Sequence, residues 1–259
     1  MSMVKFVAFK AVDVSALTEL SVFWSSPSLF PHVRPSTGFT VDATDLRVDI
    51  SGSGFTYFPK LGGTIKSMVV STGSPLETAY QVTGLSLSVQ SLFKFHSVAK
   101  ATKGILKGAD TMLGSSFGDN LYGYDGNDTI KGNLGTDLLV GGRGFDKLTG
   151  GGDSDTFRFN LASESAVGIN RDQIIDFQTG VDKIDLGPID AHAGLPDDQA
   201  FTFIGSQSFA AYKQANPGAY GMVRVTAAGI VQVDVGGNKT VDMEIKVLGS
   251  LPVETDFHL

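Results

Sequence analysis

Cysteine is absent from the 259 residues, which excludes a disulfide framework and a cysteine-ligated zinc site. Positive charge is scarce: 20 Lys and Arg against 27 Asp and Glu leave a formal net charge of −7. Binding to phosphate backbones needs clustered cations, so nucleic acid is excluded as the expected partner. An acidic surface suits cations or plain solubility. No run of about 18 apolar residues occurs, so no transmembrane segment is predicted. The opening MSMVKFVAFKAVDV does not read as a signal peptide, because Lys10 and Asp13 interrupt its apolar stretch and no small-residue cleavage site follows. The expectation is a chain that stays in the cell or leaves without an N-terminal signal. The four histidines, His32, His96, His192 and His258, stand apart from one another. The H-E-x-x-H that sets two histidines on one helix face is missing, so zinc protease chemistry is not expected.

Hydrophobic residues nevertheless make up 42% of the chain, enough for a packed core. Glycine is abundant at 32 residues and is concentrated between Gly104 and Gly152. A local excess of glycine marks a local backbone demand. Composition divides the chain into three. Residues 1–104 read as a β-rich domain: Leu46, Val48 and Ile50 alternate with Arg47 and Asp49, and Val4–Phe9, Phe55–Phe58, Gly63–Val70 and Ala79–Val82 are further strand candidates. Ser88–Ala99 reads as a short closing helix. Residues 160–259 carry strand candidates at Ile174–Phe177, Lys183–Leu186, Phe201–Ile204, Met222–Val225, Gly229–Val235 and Val241–Leu248. Their spacing suggests a small sheet or sandwich packed onto the end of the middle region.

Residues 105–159 are a repeat. Asp110, Asp119, Asp128, Asp137, Asp146 and Asp155 recur every ninth position, and two residues after each stands Met112, Leu121, Ile130, Leu139, Leu148 or Phe157. A nine-residue unit is too short for a helix pair; it is a turn and a short strand whose apolar residue points inward. Two units make one coil, and stacked coils make a parallel β-roll. Stacking places Asp110, Asp128 and Asp146 in one column and Asp119, Asp137 and Asp155 in another. Like charges a strand spacing apart repel, and glycine turns crowd carbonyls beside them. A hard cation answers both. Calcium (Ca2+) tolerates irregular sets of six to eight oxygens, whereas magnesium demands a near-ideal octahedron; two interior sites per column predict roughly four ions.

YGYDGNDTIKG, LVGGRGFDKLTG and GGGDSDTFRF resemble the repeats of the RTX family of bacterial secreted proteins. Asp172–Phe177, Gly180–Leu186, FTFIG at 201–205 and VDMEIKVLG are similar to the serralysin-type C-terminal domain that follows such repeats. The resemblance implies export through a type I secretion channel with an uncleaved C-terminal signal; Asp256-Phe257-His258-Leu259 is similar to that signal, with His258 a departure. It also implies that carbonyls two and four residues before each aspartate act as ligands, here Gly126, Gly135, Gly142, Gly144 and Gly151. Phe117 replaces the usual glycine, so the first coil is expected to bind weakly. Asp234–Asp242 is similar to the D-x-D-G-D-G loops of related tails but has lost most of its acids.

Other motifs lead nowhere. Gly114–Gly118 matches G-x-S-x-G, but that elbow needs a strand-to-helix turn and this stretch is in phase with the repeat. Asp42, Asp45, Asp49 and Glu77 offer carboxylates of the kind glycosidases pair, without spacing that separates them from polar strand edges. Trp24, with Phe23 and Phe30, reads as core before it reads as a sugar platform. The expectation is a mainly β, secreted calcium-binding protein whose N-terminal domain meets an extracellular partner such as a polysaccharide. The alternative is a small glycan-acting enzyme with its site in residues 1–104 or at their junction with the roll.

Overall fold

The computed structural model describes residues 5–8, 38–43, 46–56, 62–72, 77–88, 106–192 and 194–259, with side chains from Leu106 onward. The Ser88–Ala99 helix beyond Ser88, and Trp24, Phe23, Phe30, His32, Asp45 and His96, lie outside the described residues.

The repeat folds as a parallel β-roll. One face stacks β6 (Thr111–Leu113), β8 (Thr129–Asn133) and β10 (Lys147–Gly151), and the other stacks β7 (Asn120–Tyr122), β9 (Leu138–Val140) and β11 (Thr156–Arg158). β6, β7 and β11 each bury the middle residue and leave the flanks partly exposed, which is strand alternation at its shortest; β9 buries Val140 as well. The register stacks like on like. Met112 pairs with Ile130 and Ile130 with Leu148 on one face; Leu121 pairs with Leu139 and Leu139 with Phe157 on the other. All six are fully buried. At about 1.5–3 kcal/mol for each buried apolar side chain, these two ladders are the main apolar contribution to the roll.

The C-terminal strands do not form a separate sheet packed on the end of the roll, as the spacing suggests. They extend its own sheets edge to edge. β12 (Asp172–Phe177) adds in parallel to β10, and β13 (Lys183–Asp185) adds in parallel to β11. The apolar ladders therefore continue, with Ile174 on Leu148 and Ile184 on Phe157. Beyond β12 follow β17 (Met243–Gly249), β16 (Ile230–Asp234), β15 (Met222–Val225) and β14 (Thr202–Phe203); beyond β13 comes β18 (Phe257–His258). The pattern of apolar residues identifies strands but not their neighbours, and here the open roll edges take the strands up. The strand expectations hold in place. One helix, α1 (Phe209–Ala215), was not anticipated; its N-cap Ser208 accepts from the Ala211 N–H and it packs Phe209 against Ile204 and Met222.

On the far side, β1 (Lys5–Ala8) pairs in parallel with β6 and antiparallel with β5 (Glu77–Ser88). β5, β4 (Gly62–Thr72), β3 (Leu46–Thr56) and β2 (Gly38–Ala43) then follow as antiparallel neighbours. Asp42 lies on β2, Asp49 on β3, and Glu77 opens β5.

Candidate metal centre

Between strands, each turn repeats one backbone plan. The residue four before the aspartate is left-handed at Tyr124 (φ 72°), Asn133 (83°), Gly142 (91°) and Gly151 (108°). So is the residue two before it, at Gly108, Gly126, Gly135, Gly144 and Asp153. Glycine carries most of this because adjacent coils leave no room: a Cβ on Gly144 would lie 1.5 Å from the Gly126 carbonyl oxygen, and one on Gly142 would lie 2.1 Å from that of Tyr124.

The six aspartates are all buried, at 0–4% exposure. Oδ1 of each has a structural task where a preceding coil exists. The Asp110 N–H donates to Asp128 Oδ1 (2.7 Å), Asp119 to Asp137 (2.7 Å), Asp128 to Asp146 (2.7 Å) and Asp137 to Asp155 (2.9 Å). Their own carbonyls accept ladder bonds from the next coil, as from the Thr129 N–H to Asp110 and the Lys147 N–H to Asp128. Oδ2 is different. On Asp128, Asp137, Asp146 and Asp155 it is buried and accepts no hydrogen bond. A buried carboxylate oxygen with no donor is costly. Burial, reinforced by neighbouring aspartates, pushes Asp128 up to about 8 and Asp137 to about 7, against an ordinary 3.8. Burial likewise raises Asp146 to about 7 and Asp155 to about 6.

These oxygens point at a second column of glycines, five residues before each aspartate. The space a Cβ would fill on Gly123 is 2.4 Å from Asp128 Oδ2 and 2.4 Å from the Gly141 carbonyl oxygen; on Gly132 it is 2.0 Å from Asp137 Oδ2 and 2.6 Å from the Gly150 carbonyl oxygen. Carboxylate and carbonyl oxygens thus converge across adjacent coils. Among the described residues no three His, Cys, Asp or Glu side chains converge on one point. A cation here would therefore be held by single carboxylates in company with backbone carbonyls. An all-oxygen, irregular, anionic donor set of that kind fits a hard divalent ion.

A family profile described as the serralysin C-terminal domain of peptidase M10 matches residues 111–259, more than half of the chain. This chain belongs to the peptidase M10 serralysin C-terminal family. Among solved structures it is similar to the AlgE6R3 subunit of the mannuronan C5-epimerase of Azotobacter vinelandii, at 25% identity over 59% of this chain and 78% of that one, with a TM-score of 0.40.

In this serralysin-type domain both aspartate columns run past the last nonapeptide. The Asp146 N–H donates to Asp172 Oδ1 (2.8 Å), and the Asp155 N–H to Asp182 Oδ1 (3.1 Å). Asp172 repeats the whole pattern: fully buried, Oδ2 without a donor, and raised by burial to about 9. The repeat period misses both residues because sequence separations of 26 and 27 replace the 18 of the earlier coils. The series Gly114, Gly123, Gly132, Gly141 and Gly150, alternating between the two sides of the roll, is visible at nine-residue spacing, but its clearance for carboxylates is a cross-coil property.

The first turn departs from the plan. Ser115 and Phe117 are not left-handed; the Ser115 N–H donates to Asp119 Oδ2 (2.5 Å), and the Phe117 N–H to Ser115 Oγ (3.1 Å). Asp119 Oδ2 is thus held inside its own loop. Ser116, the serine of the G-x-S-x-G match, is exposed in the turn between β6 and β7, with no helix following it as the elbow requires. In the Asp234–Asp242 loop, Asp234 accepts from the Asn238 N–H on Oδ1 (3.0 Å) and the Lys239 N–H on Oδ2 (2.8 Å). Both oxygens thus accept from the backbone of their own loop. Asp256 is tied in the same way, to the Gly180 and Val253 N–H groups, and Phe257 packs against Phe203 with ring centroids 5.3 Å apart.

Proposed function

We propose that this chain is a secreted calcium-binding RTX protein. On this reading residues 105–159 are the calcium roll, residues 160–259 its C-terminal β cap, and residues 1–104 a domain that meets an extracellular partner such as a polysaccharide. The observation that carries the proposal is that Oδ2 of Asp128 and Asp146 in one column, and of Asp137 and Asp155 in the other, is buried with no hydrogen-bond donor. Family membership supports the same reading. The carboxylates of Asp110, Asp119, Asp128, Asp137, Asp146 and Asp155 would hold the ions, joined by carbonyls of Gly126, Gly135, Gly142, Gly144 and Gly151. Bound calcium supplies positive charge between carboxylates that otherwise repel.

On this reading folding awaits the higher calcium outside the cell. With a dissociation constant of about 0.1 mM, a site at about 1 mM calcium stabilises the roll by about 1.4 kcal/mol. Roughly four sites give several kcal/mol, comparable with the stability of a whole domain. At cytoplasmic, submicromolar calcium the contribution vanishes, and glycine backbone entropy with aspartate repulsion opposes folding. An unfolded roll suits passage through a type I export channel. Helices long and apolar enough to cross a membrane are absent among the described residues. The test is far-UV circular dichroism of the full chain in 1 mM calcium and in chelator. A gain of β signal with calcium is expected; superimposable spectra would overturn the proposal.

A further inference from the structure

A cleft of about 300 Å³ opens beside the Asp128–Asp146 turns. Its floor is two stacked turns, bridged where Asp125 pairs with Arg143 and where the Arg143 N–H donates to the Tyr124 carbonyl (2.7 Å). Its far wall is the segment Asn160–Glu164, which the Gly144–Ser165 bridge lays across the roll. Tyr122 and Tyr124 both line it, with ring centroids 6.2 Å apart and planes inclined by 32°.

Tyr124 is the telling residue. It occupies the left-handed position that Gly142 and Gly151 fill in later coils, at φ 72°. A bulky aromatic side chain there is strained, and such strain persists where the residue has a task. Arg143, Asp125 and Glu164 line the same cleft. Glu164 is buried at 8% exposure and anchored by the Asn160 N–H to Oε2 (2.8 Å). Aromatic faces beside fixed donors and acceptors are the chemistry that takes a sugar ring: the apolar face of a pyranose stacks, and its hydroxyls bond at the edge. Its side chains, one guanidinium against two carboxyl groups, carry no net positive charge to draw an anionic sugar.

We propose that this cleft is a subsite for a neutral hexopyranose unit of an extracellular glycan. The inference rests on the calcium reading, because its floor belongs to the turns that calcium would order. It adds a glycan contact on the roll itself to the one proposed for residues 1–104.

The test uses the calcium-loaded full chain and saturation-transfer NMR with titration against cellohexaose, maltohexaose, mannohexaose and a hexamer of mannuronate. At least one neutral hexamer should bind, and Tyr122→Ala should weaken it by at least about tenfold. Tyr124→Gly separates binding from folding: it relieves the strain, so the calcium-loaded protein should melt at a higher temperature while binding falls. Tyr220→Ala, at an exposed tyrosine elsewhere, should bind as the parent does. Binding of the mannuronate hexamer alone, no binding of any hexamer, or undiminished binding in both cleft variants would each overturn the proposal. Circular dichroism on the same samples distinguishes the two failures: a roll that folds with calcium yet binds no sugar sinks only the subsite, whereas a roll indifferent to calcium sinks the reading beneath it.

Discussion

Gly132→Ala adds one methyl group and no charge, and it strikes where a carboxylate and a carbonyl converge. The new Cβ would sit 2.0 Å from Asp137 Oδ2 and 2.6 Å from the Gly150 carbonyl oxygen. The carboxylate can swing away, but the carbonyl belongs to the next coil and moves only with the ladder. Overpacking of this kind costs about 1–3 kcal/mol. Loss of one ion at about 1 mM calcium removes about 1.4 kcal/mol more, taking a dissociation constant of about 0.1 mM. The sum of about 2–4 kcal/mol is a large fraction of a domain's stability. Gly132 is not left-handed, so backbone strain does not enter. Gly218→Ala is the control, since nothing lies within 4 Å of its Cβ position. Isothermal titration with calcium and urea melts of the loaded protein read both effects. The account expects one fewer tight ion and a lower urea midpoint for Gly132→Ala, and neither for Gly218→Ala. A Gly132→Ala protein with full stoichiometry and an unchanged midpoint would refute the convergence of donors across coils.

Three further outcomes follow from the same geometry. Asp172→Asn keeps an oxygen for the Asp146 N–H but removes the carboxylate charge, so calorimetry should show a weakened ion at the end of that column with the fold retained. Leu148→Ala, in the fully buried ladder, should cost about 2–5 kcal/mol in the loaded protein by urea denaturation. Acid should partly replace calcium. Asp128, Asp137, Asp146, Asp155 and Asp172 are raised from 3.8 to about 8, 7, 7, 6 and 9. The folded metal-free roll therefore binds more protons than the unfolded chain between those limits. Its proton-linked stability is fully present below about pH 4 and is lost as pH rises through about 6 to 9. In chelator, lowering pH from 8 to 5 should recover β signal, and calcium affinity should fall over the same interval as protons compete for the carboxylates; β signal that declines on acidification in chelator counts against the burial assigned to Oδ2.

Much of this was legible because the repeat states it twice. Aspartate and an apolar residue held in phase mark out both the columns and the core, and Met112, Leu121, Ile130, Leu139, Leu148 and Phe157 are all fully buried as their phase requires. What periodicity could not carry was anything beyond a break in period. The segment around Asn160–Glu164 lengthens one coil, so Asp172 and Asp182 rejoin the columns out of phase. Partner choice was equally hidden: Ile174 and Ile184 read as strand residues, but only packing shows that they extend the roll's ladders. Nothing in the sequence pattern singles out Tyr124, because its left-handed backbone and its neighbour Tyr122 matter only once coils are stacked.

The most direct test of the central claim is anomalous diffraction from crystals of the full chain grown in calcium. The account predicts difference peaks between adjacent turns, each beside an Oδ2 of Asp128, Asp137, Asp146 or Asp155 and within about 2.3–2.6 Å of that oxygen. Well-ordered turns in those crystals with no anomalous peak beside any of the four carboxylates would contradict it.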